Sequence, residues 1–563
     1  MSSPLLKRGT RAGEAAEAKN ATPMMAQYLE VKAKHPEFLL FYRMGDFFEL
    51  FFEDAVQAAG ALGIQLTKRG KHAGEDIPMC GVPVSRADEY LQRLIRKGFR
   101  VAVAEQLEDP DAAKRRGPKA VVRRDVVRLV TPGTLTEDSL LVSGANNFLT
   151  AVAKAGKGAA VRYHFASLDI STGEFLLGET VGADVEGELM RLRPAEILVP
   201  EDELADQAIR RASEAAGASL SPLARACFTK AKGERALRES FEVAVLDGLG
   251  FFTEGDLAAI GALLDYVNLT QMGERPALRP PKREAPGALL LIDAATRASL
   301  ELVRPANEGA PTVFQAIDRT VTAAGARELM NRLVSPSADV ELINRRLDAV
   351  SVFIDEWGLR ERIRKMLKNA PDIGRALSRL KLKRGGPRDL GGLRDGLSAA
   401  EELAAMLTSA AALPDELKDI AQALESLRCA TLRRDHENGA TLARELRAAL
   451  ADSLPYFVRD GGFIAAGYDA ELDELRQLAS DTKVVLAKLQ AAYAAQTGVK
   501  TLKIQYNQVF GYFVEVSPAA AAVLQAEPHA SVFRHKQTLA SAVRFTTDEL
   551  SALESRILNA TSD

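Results

Sequence analysis

The chain has 563 residues, 47% of them hydrophobic and 26% charged, with a formal net charge of −3. This composition suits a soluble globular protein of several domains, each of roughly 100–200 residues. No apolar run approaches the ~18 residues of a membrane-spanning helix, and three cysteines (Cys80, Cys227, Cys429) without a CxxC exclude a disulfide framework or zinc ribbon and point to a reducing cytoplasm.

Residues 1–21 are small, polar and charged and are expected to be a disordered leader. TPMMAQYLEVKAKH reads as an amphipathic helix with Thr22 as cap and Pro23 at the first helical position. The apolar FLLFYRM then predicts a strand, EDAVQAAGALGI and ADEYLQRLIRKG predict helices, and RVAVAEQ predicts another strand. A mixed α/β unit is therefore expected over 22–130. A second α/β unit is expected over 134–280, from the alternation in NNFLTAVAKA and RYHFASLDISTGEFLLGE and the helix–strand pattern of GELMRLRPAEILVP. The Pro-rich ERPALRPPKREAPG reads as a linker. From 289 to 478 the pattern is helical, as in ARELMNRLVSP, VELINRRLDAVSVFI and AAEELAAML. AELDELRQLASDTKVVLAKLQAAYAAQTG stays periodic for almost thirty residues, the mark of a lever or arm. Within 479–545, TLKIQYNQVFGYFVEVSP reads as a hairpin. Helix resumes over 546–563, and this unpaired final helix leads to the expectation of a truncated chain.

Charge is unevenly distributed. From Lys68 to Arg128 there are fifteen Lys and Arg against nine Asp and Glu, and from Lys500 to Phe545 five against two. Two local basic patches suit a polyanion despite the acidic total; solvated faces are the plain alternative. Aromatics are also concentrated: seven lie between Phe38 and Phe52, where 6% overall would place about one. Within that cluster, FFE at 47–49 has strand alternation, so Phe47 and Glu49 share one side and Phe48 the other. With Phe48 in the core, an exposed ring can stack on a nucleobase, worth about 1–3 kcal/mol. Its neighbouring carboxylate, repelled by phosphates, needs a role at a base edge.

The stretches TPMMAQYLEVKAKHPEFLLFYRMGDFFELF, LTKRG, IPMCGVP, AVAEQLEDP, VVRLVTPGTLTEDSLL, LDISTGEF, RPAEILVP, ALSRLKLKRGGPRDL, GYDAELDELRQL, NQVFGYFVEVS and KQTLASAVRF follow in order. Together they resemble the bacterial MutS family of DNA mismatch-repair proteins, from Thr22 to the C-terminal end. The resemblance implies a multidomain chain of mixed α/β and α parts: a mixed α/β recognition domain, an RNase H-like α/β connector, a long-helix core with levers, and a small β-rich clamp.

It implies that Phe47 wedges beside a mispaired base from the minor-groove side while Glu49 bonds to it, with the duplex kinked. Lys68, Arg69 and Arg124 stand where the family meets the DNA backbone, or in a solvated basic loop. Asn507, Arg534, Lys536 and Arg544 stand where the clamp grips phosphates. Val84 and Ser85 replace an aromatic and a histidine usual in the family, Ser541 an Asn, and Val543 a frequent Glu.

Complete members are homodimeric ATPases that use ATP and Mg, close on mismatched duplex DNA as a sliding clamp and recruit the repair partner MutL. They work in the cytoplasm at the nucleoid. Here no GxxxxGK[ST] occurs, and AGKGAA at 155–160 lacks the Ser or Thr and the upstream Gly. No catalytic residue, metal site or cofactor is expected in this chain, nor ATP hydrolysis. The alternative expectations are a remnant that binds MutL through 134–280 without mismatch specificity, and a junction-recognising homologue, against which Phe47 and Glu49 count.

Overall fold

The computed structural model describes residues 22–559 except 73, 109–112, 114, 118–119, 157–160, 285–286, 308, 411–412, 430–440, 481 and 508–510. The expected disordered leader and the centre of NQVFG lie outside the described residues. The chain divides into two compact units: the first runs to Leu446 and includes Tyr456–Val458, and the second comprises Arg447–Pro455 and continues from Arg459.

Unit one begins with α1 (Pro23–Lys34), whose first turn is closed by the Thr22 hydroxyl accepting from Met25 N at 3.4 Å. There follow β1 (Leu39–Met44), β2 (Phe47–Phe51), α2 (Phe52–Leu62), β3 (Thr67–His72), β4 (Glu75–Pro83), α3 (Ala87–Arg96), β5 (Val101–Gln106) and β6 (Arg124–Val130). They form a six-stranded sheet ordered β3-β4-β2-β1-β5-β6. Alternation sorts the aromatics onto its two faces: Phe41 and Phe48 join Leu50 in the core cluster with α2 and α3, whereas Tyr42 and Phe51 join Leu40 and the α1 residues Met25, Tyr28 and Val31. Buried Asp54 ties three elements together, accepting from Lys32 Nζ at 2.8 Å and Leu40 N at 2.9 Å. LTKRG and IPMCGVP, which no strand pattern had marked, contribute to β3 and β4.

A second sheet comprises β7 (Phe148–Ala155), β8 (Arg162–Asp169), β9 (Glu174–Val181), β10 (Glu196–Pro200), β11 (Ser219–Leu223) and β12 (Lys282–Arg283), in the order β11-β10-β7-β8-β9-β12. Strands β7 to β9 form an antiparallel meander, and β10 and β11 extend it in parallel, the RNase H-like arrangement expected. Helices α4 (Val185–Leu192) and α5 (Gln207–Ala216) bury Val185, Leu189 and Ile209 on one face. Helices α6 (Lys230–Phe241) and α7 (Glu254–Thr270) bury Leu237 and Leu257 on the other. Fully buried Glu196 joins the first sheet's exit to this one, accepting from the hydroxyls of Thr131 and Tyr266 (2.5 and 2.8 Å), from Gly133 N (3.0 Å) and from Ser221 Oγ (2.5 Å).

The stretch 274–287 is more than a linker. Lys282 and Arg283 pair with Leu176 and Leu177, Arg283 also pairs with buried Asp256, and Glu284 pairs with Arg191 at 2.8 Å. Proline content reveals where a ladder is interrupted, not which charges will find buried partners.

Helices α8 (Ala294–Ser299), α9 (Val313–Ile317), α10 (Ala323–Val334), α11 (Val340–Asp355), α12 (Trp357–Leu367), α13 (Ile373–Lys381), α14 (Pro387–Thr408) and α15 (Asp415–Cys429) supply the helical part of unit one. Arginines dock it: Arg375 donates to the carbonyls of Val142 and Ala145 at 3.1 and 3.0 Å, and Arg379 pairs with Asp138 at 2.7 Å. Helix α16 (Leu442–Ala449) follows.

Unit two carries α17 (Ala470–Ser480) and α18 (Thr482–Thr497), described either side of residue 481, then β13 (Lys503–Asn507), β14 (Gly511–Val516), α19 (Pro518–Gln525), β15 (Arg534–Thr538), β16 (Val543–Thr546) and α20 (Asp548–Asn559). Its sheet runs β13-β14-β16-β15 over a core that includes Tyr493, Phe533 and Phe545. Arg556 of α20 pairs with Glu474 of α17 at 2.9 Å.

Candidate nucleic-acid interface

Gly45 takes a positive φ of 60° in the turn between β1 and β2, a conformation easiest without a Cβ. The turn sets Tyr42 opposite Glu49 and Met44 opposite Phe47. Phe48 is 4% exposed, its ring 5.7 Å from Phe41 and 5.5 Å from the Arg43 guanidinium. Phe47 is 47% exposed. On the other side of β2, Glu49 faces Gly81 of β4. A Cβ on Gly81 would lie 3.7 Å from Glu49 Cγ and 3.8 Å from Phe47 Cδ1, so both side chains flank one point on one face of the sheet. The signal for this arrangement was available: an isolated glycine in a strand marks a close approach.

Arg69 lies in edge strand β3 and reaches across β4 to pair with the Glu49 carboxylate. The register slips between Lys68 and Lys71, and Gly70 takes a φ of 70°; such a bulge re-aims a side chain. Local reasoning missed this ion pair because the partners are twenty residues apart and separated by a strand. Lys68 is exposed and pairs with Asp76 at 2.7 Å; that hydrogen bond pushes its ammonium above the ordinary value.

Arg124 is half-buried and structurally engaged. Its Nε donates to Arg43 O at 2.6 Å, its Nη1 donates to Val122 O at 2.9 Å, and its guanidinium lies 5.3 Å from the Tyr42 ring centre. It therefore steadies the strand that leads into the Phe47 turn. Part of the neighbouring basic run, at 114 and 118–119, lies outside the described residues.

In unit two, Asn507 ends β13 opposite Gly511 and is half-buried. Arg534 and Lys536 are exposed on β15; Arg534 pairs with Asp548 at 2.5 Å, and Lys536 falls where the register with β16 shifts. Arg544 is held inside the sheet, donating to Glu515 and Gln537 at 3.0 Å each and lying 4.4 Å from the Phe513 ring centre. Val543 is buried. Tyr506, 56% exposed beside Tyr512, is an aromatic on this sheet that sequence reasoning did not single out.

Four family profiles match the chain in order: MutS domain I over residues 22–139, MutS domain II over 147–279, MutS domain III over 295–499 and MutS family domain IV over 467–563. The chain belongs to the MutS family. The DNA mismatch repair protein MutS of Nitrobacter hamburgensis is 52% identical over 97% of this chain and 59% of its own length. The proteins of the same name from Rhodopseudomonas palustris and Cereibacter sphaeroides are 53% and 52% identical over 96% of this chain, which spans 57% and 59% of their lengths. The chain thus spans just under three fifths of these curated relatives. The Phe47–Glu49–Arg69 cluster falls within the MutS domain I match.

No helix among the described residues is long and apolar enough to cross a membrane, and among them no cluster of three or more His, Cys, Asp or Glu could hold a metal. No GxxxxGK[ST] segment occurs in the sequence.

Proposed function

We propose that this MutS chain recognises mispaired or unpaired bases in duplex DNA for mismatch repair. The observation that carries the reading is the exposed Phe47 ring beside Glu49 on one face, cleared by Gly81, within the stretch that matches MutS domain I. Phe47 enters a base step from the minor groove and stacks on the displaced base, worth about 1–3 kcal/mol. Glu49 bonds to that base. Unstacking costs a few kcal/mol and least at a weakened pair, so the duplex is read through its deformability.

In this reading residues 22–130 recognise the lesion and 134–280 connect to a MutL-type partner. Residues 289–478 form the core and levers, and 479–545 the clamp. Lys68 and Arg69 serve the DNA backbone near the mismatch, Arg124 holds the strand that leads to Phe47, and Asn507, Arg534, Lys536 and Arg544 grip phosphates. Complete proteins act as homodimers in the cytoplasm and add ATP-driven switching.

The test is anisotropy titration of G·T-containing and matched duplexes. The expected result is tighter binding to the G·T duplex, with Phe47→Ala abolishing the preference by about 5- to 150-fold, the range of one lost stack. Equal weak binding to both duplexes would favour a module that meets the repair partner through 134–280. The engagement of Arg124 and Arg544 by protein groups lends that second reading its support.

A further inference from the structure

We propose that the cavity between α4, the end of α5 and residues 297–306 binds a small organic anion, a carboxylate or phosphate ester on an apolar body. The cavity encloses about 200 Å³. Met190, Leu302 and Val334 supply apolar wall, Arg193, Arg297 and Arg304 supply charge, and no Asp or Glu lines it.

The three arginines differ in what they touch. Arg297 donates to the carbonyls of Ile292 and Val334 at 3.1 and 2.7 Å. Arg304 donates to the carbonyls of Ala215 and Ala216 at the end of α5. These acceptors are neutral carbonyls, and neither arginine has an ion-pair partner among the described residues. Arg193 has less: its Nη2 meets only the Met330 sulfur, at 2.6 Å, a weak acceptor. Its Nε is buried with no hydrogen-bond partner among the described residues.

Arg191, two residues earlier, shows how this fold treats a buried guanidinium for structural purposes. It pairs with Glu188 and Glu284 and donates to Ser335 at 2.8 Å. A buried charge without a counter-charge is destabilising, and Arg193 is left in that state. Burial and the neighbouring Arg304 push its guanidinium down to about 10, so it stays charged at neutral pH. Arg193 lines an apolar chamber that holds no acid, and such a lining is complementary to an anionic head with a short hydrocarbon tail. The ligand class follows from that chemistry and is independent of DNA recognition.

The experiment uses the full chain with hexanoate and hexyl phosphate as probes and hexanamide as the neutral control, read by calorimetric titration and thermal melting. At least one anion is expected to bind at a single site and raise the melting temperature, hexanamide is not, and the stronger of the two anions identifies the head group. Arg193→Met is expected to weaken anion binding about tenfold or more, the loss of one charge-assisted hydrogen bond. Without ligand, the variant is expected to melt no lower than the parent, because it removes an uncompensated charge. The proposal is overturned by binding of neither anion, by equal binding of hexanamide, or by unchanged anion affinity in Arg193→Met. A lower melting temperature of unliganded Arg193→Met also overturns it, since Arg193 would then be structural.

Discussion

Glu49 and Arg69 constrain each other, and the consequence for binding can be measured. An exposed ion pair contributes only about 0–1 kcal/mol to stability, so Arg69→Gln should leave the melting temperature nearly unchanged. Its effect should fall on DNA. If a phosphate takes Arg69 from Glu49, the substitution weakens binding to matched and mismatched duplexes alike. It should also reduce the slope of log affinity against log salt by about 1. An unchanged slope would mean that Arg69 stays with Glu49 in the complex. Glu49→Gln removes a negative charge that phosphates repel, so matched duplex should bind more tightly and the mismatch preference should narrow. Equal preference in parent and variant would count against a base-edge role for the carboxylate.

At the level of strands, the site depends on a gap in β4. Valine is favourable in strands, and a Cβ at position 81 meets only contacts of 3.6–3.8 Å. The γ-methyls of Gly81→Val would instead press on Phe47 and Glu49. The expected outcome is a melting temperature within a few degrees of the parent, about 1 kcal/mol, with mismatch preference lost; retained preference would show that the two side chains need no such clearance. Arg124 makes the opposite prediction. Arg124→Met removes the bond to Arg43 O and should destabilise unit one by about 1–3 kcal/mol, read as a shifted urea midpoint, while leaving the salt slope of DNA binding intact. A reduced slope with unchanged stability would return Arg124 to the phosphate backbone. The helices and strands β1, β2 and β5 of the first sheet were legible because their apolar periodicity is local, whereas β6 carried no such signal. Strands β3 and β4 were not: TKRGKH is polar and exposed, and only pairing to β4 makes it a strand.

For the whole molecule, pH probes the second sheet. Burial holds the His164 imidazole below its ordinary value, with Glu179 opposing and Arg283 and Arg162 reinforcing. It lies 3.1 Å from buried Asp256. The unfolded chain therefore takes up a proton near pH ~6.5 that the folded protein refuses. The resulting stability is fully present above that pH and is lost as pH falls towards the depressed folded value. Glu105, Glu174 and Glu284, whose carboxyls burial pushes up, act in the opposite sense at lower pH. The readout is thus the comparison with His164→Gln: between about pH 7.5 and about pH 5.5 the parent's urea midpoint should fall more than the variant's. Equal falls would remove His164 from the account.

The sequence by itself determined the helices and the apolar strands, the crowding of aromatics before residue 53 and the likeness to MutS. Each resides in residue types at short spacing, where backbone sterics and alternation act. Tertiary structure alone decided that Gly81 clears space beside Phe47, that Arg69 crosses a strand to Glu49, that Arg124 holds Arg43, and that Lys282 and Arg283 of the Pro-rich stretch pair with β9. The physical reason is that charges and hydrogen-bond donors are satisfied by whatever lies nearest in space, and strand order brings together residues whose separation along the chain carries no local signal.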